Sequence, residues 1–139
     1  MGHGFRVGIG VRAYELDSLG HVNGAVYLQY AEHVRWECLR AAGIGLEALR
    51  ELGVAPVRIE ETIRYHRELR AGDQVELDCV FEWGQGKVFR VRQEVRRGEE
   101  LVAEVLNVGG VLDLGTRRLV ADPEAVFRGL AARPELVGL

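Results

Sequence analysis

The feature that most constrains the fold of this chain is the proline-free stretch AVYLQYAEHVRWECLRAAG at residues 25–43. Placed at 100° per residue, its polar side chains gather on one narrow stripe, while nearly all the others are apolar or aromatic. The stripe consists of Gln29, Glu32, His33, Glu37 and Arg40. The pattern predicts one long helix that ends with Gly43 as a left-handed cap and is covered on most sides by the rest of the chain.

Strand periodicity occurs on both sides of that helix. Apolar residues alternate with other residues at 7–13 and in three later runs, at 57–69, 75–83 and 89–95. A fifth strand at 101–112 is apolar on both faces in part, as a central or subunit-contacting strand would be. Tight turns separate most of these runs, at Gly72-Asp73, Gly84-Gln85-Gly86 and Arg97-Gly98-Glu99. These turns predict hairpins, which make neighbouring strands antiparallel. Short helices are expected at 46–52 and after Asp122, an N-cap residue followed by proline.

One helix that is apolar on most of its surface, with a single sheet available, predicts an α+β fold. In this fold a curved antiparallel sheet of about five strands wraps around the helix. The length of 139 residues suits a single domain covering 1–139. The two edges of such a sheet are surfaces that a partner subunit could cover.

The composition argues against several classes of protein. A net charge of −3 gives no general attraction to nucleic acid, and no apolar run approaches the roughly 20 residues of a membrane span. The amino terminus lacks the pattern of a secretory signal. Cys38 and Cys79 fall at apolar positions of separate elements, which favours buried thiols over a disulfide. We therefore expect a cytoplasmic protein that binds neither nucleic acid nor membranes.

Two charged residues fall on faces that are otherwise apolar. Arg35 projects from the apolar side of the long helix, and Glu61 lies on the apolar side of the strand at 57–69. A buried charge needs a partner, so mutual neutralisation would explain both residues. The alternative for Glu61 is a second catalytic carboxylate.

The segment YELDSLGHVNGAVYLQY, residues 14–30, places an acid, an imidazole and an amide just before the long helix. A carboxylate at Asp17 could activate a nucleophile, and the free N–H groups of the first helical turn could stabilise negative charge on an oxygen atom. The simpler interpretation is structural, because aspartate and asparagine are favoured in turns and as helix N-caps. It applies to Asp17 and to Asn23.

The string formed by Tyr14, Asp17, Gly20, His21, Val22 and Asn23, before a long helix and antiparallel strands, resembles the hotdog-fold acyl-CoA thioesterases of the 4-hydroxybenzoyl-CoA thioesterase family. The resemblance extends from about residue 6 to about residue 130. It implies a hotdog fold, homodimers or homotetramers with sites between subunits, and hydrolysis of an acyl-CoA to the free acid and CoA. No cofactor is implied besides the coenzyme A of the substrate. Gly24 departs from the family, in which many members have a second asparagine.

The resemblance implies that Asp17 is the catalytic carboxylate, as general base or nucleophile. His21 is expected either to orient Asp17 or the substrate carbonyl, or only to pack its ring while bonded to a loop carbonyl. We expect the backbone amides around residues 23–25 to bind the oxyanion. The resulting candidates are Asp17, His21 and Asn23 for catalysis, and Gly24, Ala25 and Tyr27 for substrate binding. Tyr27 and Tyr30 also fit positions in a pocket wall or in the core.

Two other functions fit the same residues. A non-hydrolytic hotdog module would bind an acyl thioester without cleaving it, and a hydroxyacyl-thioester dehydratase would use the imidazole and the carboxylate as base and acid. A metal site is not expected, because His3, His21, His33 and His66 lack paired ligand spacing and neither cysteine has a neighbouring cysteine.

Overall fold

The computed structural model describes residues 4–139, so His3 lies outside the described part of the chain. The helices are α1 (Gly24–Ala41), α2 (Leu46–Leu52) and α3 (Pro123–Leu130), where the sequence predicted them. The strands are β1 (Arg6–Gly10), β2 (Val54–Tyr65), β3 (Gln74–Asp78), β4 (Val80–Trp83), β5 (Phe89–Arg97), β6 (Glu100–Asp113) and β7 (Arg118–Leu119). Short 3₁₀ turns lie at Ala13–Glu15 and Pro134–Val137. Within residues 4–139, no helix is both long and apolar enough to cross a membrane.

The strands form an antiparallel sheet with the order β1-β3-β5-β6-β2. β4 pairs with β5 beyond the end of β3, and the two-residue β7 pairs with β6. The run predicted as one strand at 75–83 is therefore interrupted between Asp78 and Val80, with Cys79 buried at the break. The five-strand path agrees with the expected sheet, and its two edge strands are β1 and β2.

The predicted hairpin at Gly72-Asp73 is wrong. β2 pairs along its length with β6, whereas β3 lies between β1 and β5. The chain does turn at Gly72, whose φ is +86°. The turn is hydrogen-bonded to the residue after β1, because Val11 N–H donates to Asp73 O (2.9 Å) and Gly72 N–H donates to Val11 O (3.0 Å). Turn residues show that a chain reverses and not which strand it then joins. The two later turns do form hairpins, which join β4 to β5 and β5 to β6.

α1 has the ends and the burial that its sequence predicted. Asn23 is the N-cap, because its side chain accepts a hydrogen bond from Ala25 N–H (3.0 Å). At the other end Gly43 has φ +91°, and Ile44 N–H donates to Leu39 O (2.8 Å), as in a Schellman cap. The buried residues of α1 are Tyr27, Tyr30, Ala31, Val34, Arg35, Cys38 and Leu39. They form one core with the inner face of the curved sheet, which is the hotdog arrangement that the resemblance implied.

Both cysteines are free and buried, as their positions predicted. The Cys38 thiol, on α1, donates to Leu136 O (3.3 Å). Burial, together with the neighbouring Cys38 thiol, raises the pKa of the Cys79 thiol well above its usual range. A thiol with a raised pKa is a poor nucleophile, so Cys79 acts as a packing residue.

Candidate active site

The loop that contains Asp17 connects the first 3₁₀ turn to α1. It is hydrogen-bonded at both of its ends. Leu16 and Val22 form an isolated antiparallel bridge, and Asn23 N–H donates to Glu15 O (3.0 Å). Inside the loop, Asp17 N–H donates to His21 O (2.8 Å). Gly20 has φ +83°, a conformation that favours glycine, so the G of the sequence string has a backbone role. The loop therefore presents Asp17 and His21 on a short closed turn.

Asp17 and His21 contact each other within this turn. Asp17 Oδ2 lies 3.2 Å from His21 Nδ1, and about a quarter to a third of each side chain is exposed, 27% and 29% respectively. Asp17 Oδ1 accepts a hydrogen bond from Leu19 N–H (2.9 Å). Asp17 thus has the turn-forming role of the simpler interpretation. Its second oxygen contacts an imidazole that can orient the carboxylate toward a reacting group.

The first turn of α1 offers fewer free amides than the sequence suggested. Ala25 N–H donates to the Asn23 side chain, and Asn23 N–H donates to Glu15 O. Gly24 N–H, by contrast, has no hydrogen-bond acceptor among the described residues. Of the three amides at 23–25, that of Gly24 is therefore the one available to an oxyanion in this conformation.

A cavity of about 440 Å³, here called the Asp17 cavity, opens at this end of α1. Its walls are formed by Asp17, His21, Val22, Gly24, Tyr27, Tyr65, His66, Arg67 and Glu68. The structure thus brings together all of the candidate residues except Asn23 and Ala25, which adjoin Gly24. Tyr27 is buried, and burial raises the pKa of its hydroxyl.

Tyr65 is a site residue that the sequence analysis missed. Its hydroxyl donates to Gly24 O (3.0 Å), and its ring packs edge-on against Tyr27 with 5.1 Å between ring centroids. In the sequence, Tyr65 continues the alternation of the strand at 57–69, on the same apolar side as Glu61. This alternation gave no sign that the end of β2 meets the amino terminus of α1.

Tyr30 does not line the Asp17 cavity but supports the loop beside it. Its hydroxyl donates to Glu15 Oε1 (2.6 Å), and Arg12 binds the same carboxylate through Nη1 to Oε2 (3.0 Å). Burial alone would raise the pKa of Glu15, but the hydrogen bonds from Tyr30 and Arg12 outweigh it and lower that pKa. An ionised Glu15 therefore connects α1 to the residues that precede Asp17.

We predict that Gly24 and Tyr65 are energetically coupled. A Cβ at position 24 would lie 3.2 Å from the Tyr65 hydroxyl oxygen, so Gly24→Ala should displace that hydroxyl from Gly24 O. Tyr65→Phe alone should cost about 0.5 to 1 kcal/mol, and clearly less in the Gly24→Ala background. Urea unfolding of the two single variants and the double variant measures the coupling. Additive effects would show that position 24 and the hydroxyl are independent.

A second cavity of about 420 Å³, here called the aromatic cavity, lies against the carboxyl-terminal half of α1. Its walls are formed by Glu32, Arg35, Trp36, Leu39, Pro56, Val57, Arg58, Phe81, Phe89, Val91, Asn107 and Phe127. At the 1.5 Å rise of an α-helix, Arg35 lies about 16 Å along α1 from Gly24. The two cavities of one chain are therefore separate.

The predicted pairing of Arg35 with Glu61 is confirmed at the aromatic cavity. Arg35 Nη2 lies 3.1 Å from Glu61 Oε2, and Asn107 Nδ2 donates to the same oxygen (3.3 Å). Arg35 Nη1 donates to Gln93 Oε1 (3.0 Å), and Gln93 Nε2 donates to Ala31 O (3.0 Å). Burial lowers the pKa of Arg35, while the nearby Glu61 opposes that shift. Glu61 thus has the structural partner that explains its position.

No group of three His, Cys, Asp or Glu side chains within residues 4–139 is arranged so that it could hold a metal ion.

Comparison with known proteins agrees with this architecture. The chain is 29% identical over 115 residues to the long-chain acyl-CoA thioesterase FadM of Escherichia coli, and the alignment covers 81% of this chain and 86% of FadM. It is 42% identical over 64 residues to the chloroplastic acyl-acyl carrier protein thioesterase ATL3 of Arabidopsis thaliana, or 46% of this chain and 34% of ATL3. The chain thus matches only about a third of the length of that plant relative.

Among solved structures, the probable thioesterase YbaW of Escherichia coli superposes with a TM-score of 0.80 at 27% identity, over 89% of this chain and 93% of YbaW. A hypothetical protein of Aquifex aeolicus gives a TM-score of 0.82 at 25% identity, over 91% of this chain and 98% of that protein. The family model described as the Thioesterase-like superfamily matches residues 11–130. This chain therefore belongs to the Thioesterase-like superfamily, with the hotdog fold.

Proposed function

We propose that this protein hydrolyses an acyl-CoA thioester to the free acid and CoA, as a member of the 4-hydroxybenzoyl-CoA thioesterase family. The observation that carries the proposal is the juxtaposition in one cavity of the Asp17 carboxylate, in contact with His21, and the free Gly24 N–H at the amino terminus of α1. Thioester hydrolysis needs an activated nucleophile and a donor where negative charge develops on oxygen.

In the proposed reaction the thioester carbonyl oxygen lies toward Gly24 N–H, where the positive end of the α1 dipole also favours negative charge. Asp17 either removes a proton from an attacking water or attacks the carbonyl carbon itself to form a mixed anhydride. His21 holds Asp17 Oδ2, and Asn23 keeps the first turn of α1 capped. In either route the tetrahedral intermediate expels the CoA thiolate, which takes up the proton that water gives up. In the second route water then hydrolyses the mixed anhydride, which releases the free acid and regenerates the Asp17 carboxylate. No cofactor takes part.

Support for CoA as the carrier comes from the extent of the two sequence matches. The acyl-CoA thioesterase FadM is matched over 86% of its length, and the acyl-acyl carrier protein thioesterase ATL3 over 34%. The preference for CoA is therefore part of the proposal. A cytoplasmic location is proposed with it, because free buried thiols suit a reducing compartment.

We also propose that two copies pair through β2, a twelve-residue strand at the edge of the sheet in which Ile59 and Tyr65 are about half exposed. An unpaired edge of this length is a ready template for another strand. Antiparallel pairing about the middle of β2 would bring the aromatic cavity of one copy, which includes Pro56 and Val57, toward the Tyr65 end of the other. We assign the acyl group to that cavity. Sedimentation of a dimer or tetramer would support the pairing, and a monomer at micromolar concentration would contradict it.

The test of the function is to incubate the purified protein with short, medium, long and aromatic acyl-CoAs and to measure free CoA by chromatography. Chromatography avoids a thiol dye, which Cys38 and Cys79 could also react with after unfolding. Release of CoA together with the free acid would support the hydrolase. A product that keeps its thioester would indicate the dehydratase, and binding without any turnover would indicate the non-hydrolytic module.

A further inference from the structure

The aromatic cavity contains two buried polar side chains whose hydrogen-bonding capacity is only partly used. Arg35 is 9% exposed and Asn107 is 4% exposed. Arg35 has five N–H donors and uses two of them, toward Gln93 and Glu61. The Asn107 side-chain carbonyl oxygen has no hydrogen-bond donor among the described residues. The wall of the cavity therefore offers both donors and an acceptor to whatever occupies it.

The charges around the cavity balance one another. Arg35 is paired with Glu61, and Arg58 is paired with Glu32 at 3.1 Å between Nη1 and Oε2. Glu32 and Arg58 are about half exposed, so this second pair lies at the outer side of the cavity. An added carboxylate would disturb a neutral, partly desolvated arrangement, whereas a neutral hydrogen-bonding group would not.

The remaining walls are apolar and suit a hydrocarbon body. They comprise Trp36, Leu39, Phe81, Phe89, Val91 and Phe127. A chain that ends in a methyl group would fill this space but would leave the free groups of Arg35 and Asn107 without water and without a partner. A hydroxyl group both donates and accepts, so it matches the free Asn107 oxygen and the free Arg35 N–H groups together.

We propose that the aromatic cavity selects acyl groups with a neutral hydroxyl at their far end over methyl-ended acyl groups of the same length. This inference rests on the proposed function, because it assigns the far end of the acyl group to this cavity. Arg35 and Asn107 bind the hydroxyl in this assignment, and Glu61 is a positioning residue that holds both of them.

The first test compares hydrolysis of octanoyl-CoA with that of 8-hydroxyoctanoyl-CoA. The wild type should favour the hydroxylated ester by about tenfold or more in kcat/KM, the effect of about one well-formed hydrogen bond at a buried site. Arg35→Met combined with Glu61→Leu removes the Arg35 donors and the carboxylate that holds Asn107, and should abolish most of the preference. The matched control is Arg92→Met with Glu82→Leu. These two residues form an exposed ion pair on the outer face of β4 and β5, so their replacement should leave the preference unchanged.

The second test measures binding of free octanoate and 8-hydroxyoctanoate by titration calorimetry, in the wild type and in Asn107→Leu. Tighter binding of 8-hydroxyoctanoate that disappears in the variant would support the proposal even if no thioester is hydrolysed, a result that would reject only the hydrolase. Equal or tighter binding of octanoate to the wild type would overturn the proposal. Equal or faster hydrolysis of octanoyl-CoA would also overturn it, while the hydrolase would stand. Thermal melts of each variant establish that it is folded.

Discussion

Replacing Asp17 with asparagine is expected to lower CoA release by about 10²-fold or more, the scale of a lost acid–base group. The variant keeps an oxygen that can accept from Leu19 N–H, so the turn should survive. It loses the negative charge that activates water or attacks the thioester. The measurement is kcat/KM from free CoA, with a thermal melt to show that the fold is intact.

The matched control for this variant is Asp122→Asn. Like Asp17, Asp122 accepts a hydrogen bond from a backbone N–H close in sequence, in its case Ala125 N–H at the start of α3. It is not among the residues that line the Asp17 cavity, so its replacement should leave turnover unchanged. Turnover by Asp17→Asn equal to that of the wild type would remove Asp17 from the mechanism. Single-turnover hydrolysis in ¹⁸O-labelled water then separates the two routes, because label in the Asp17 carboxylate would exclude simple general-base catalysis.

Replacing Arg35 with methionine should lower the free energy of unfolding by about 3 kcal/mol or more. The variant leaves Glu61 with 16% of its side chain exposed and without its closest cation, since Arg58 Nε is 3.9 Å from the other Glu61 oxygen. It also removes the donor that binds Gln93 Oε1. Urea unfolding measures this loss of free energy. A thermal melt should show a fall of several degrees in the melting temperature.

The control for Arg35 is Arg92→Met, whose ion pair with Glu82 is exposed on both sides and should be worth less than about 1 kcal/mol. The double variant Arg35→Met/Glu61→Leu should recover much of the loss, because apolar replacement of a buried pair is often close to neutral. A cost for Arg35→Met as small as that for Arg92→Met would show that the buried pair contributes little. Glu61→Gln should leave kcat unchanged with octanoyl-CoA, an ester without the hydroxyl that Glu61 helps to bind, whereas a large fall would restore Glu61 as a catalytic candidate.

Most of the fold could be predicted from local patterns. α1 was predictable because its apolar surface, its Asn23 cap and its Gly43 terminus are all determined by residues that are close together in the sequence. The partner strand of β2 could not be predicted in this way. Its pairing with β6 depends on a crossover of the chain at 66–73 that no nearby residue encodes. A glycine with positive φ, such as Gly72, marks the turn equally well in a hairpin and in a crossover.

Part of the candidate site could likewise be predicted from the sequence, and part of it could not. Asp17, His21 and Asn23 lie within one short segment, so the sequence alone could place them together. Tyr65 reaches Gly24 only through the long-range packing of the end of β2. The available oxyanion donor also depended on geometry, since only the structure shows that Ala25 N–H is already used by the Asn23 cap.

The closed turn around Asp17 has a thermodynamic consequence for ligand binding. Its backbone is fixed by the bridge between Leu16 and Val22 and by the bonds that Asp17 makes to His21 and Leu19. The conformational entropy of these residues is therefore lost when the chain folds and not when a ligand arrives. We expect amide hydrogen exchange at the bonded N–H groups of Asp17, Leu19, Gly20, Val22 and Asn23 to be slow without ligand and to change little at saturation, so that affinity reflects contacts rather than loop ordering.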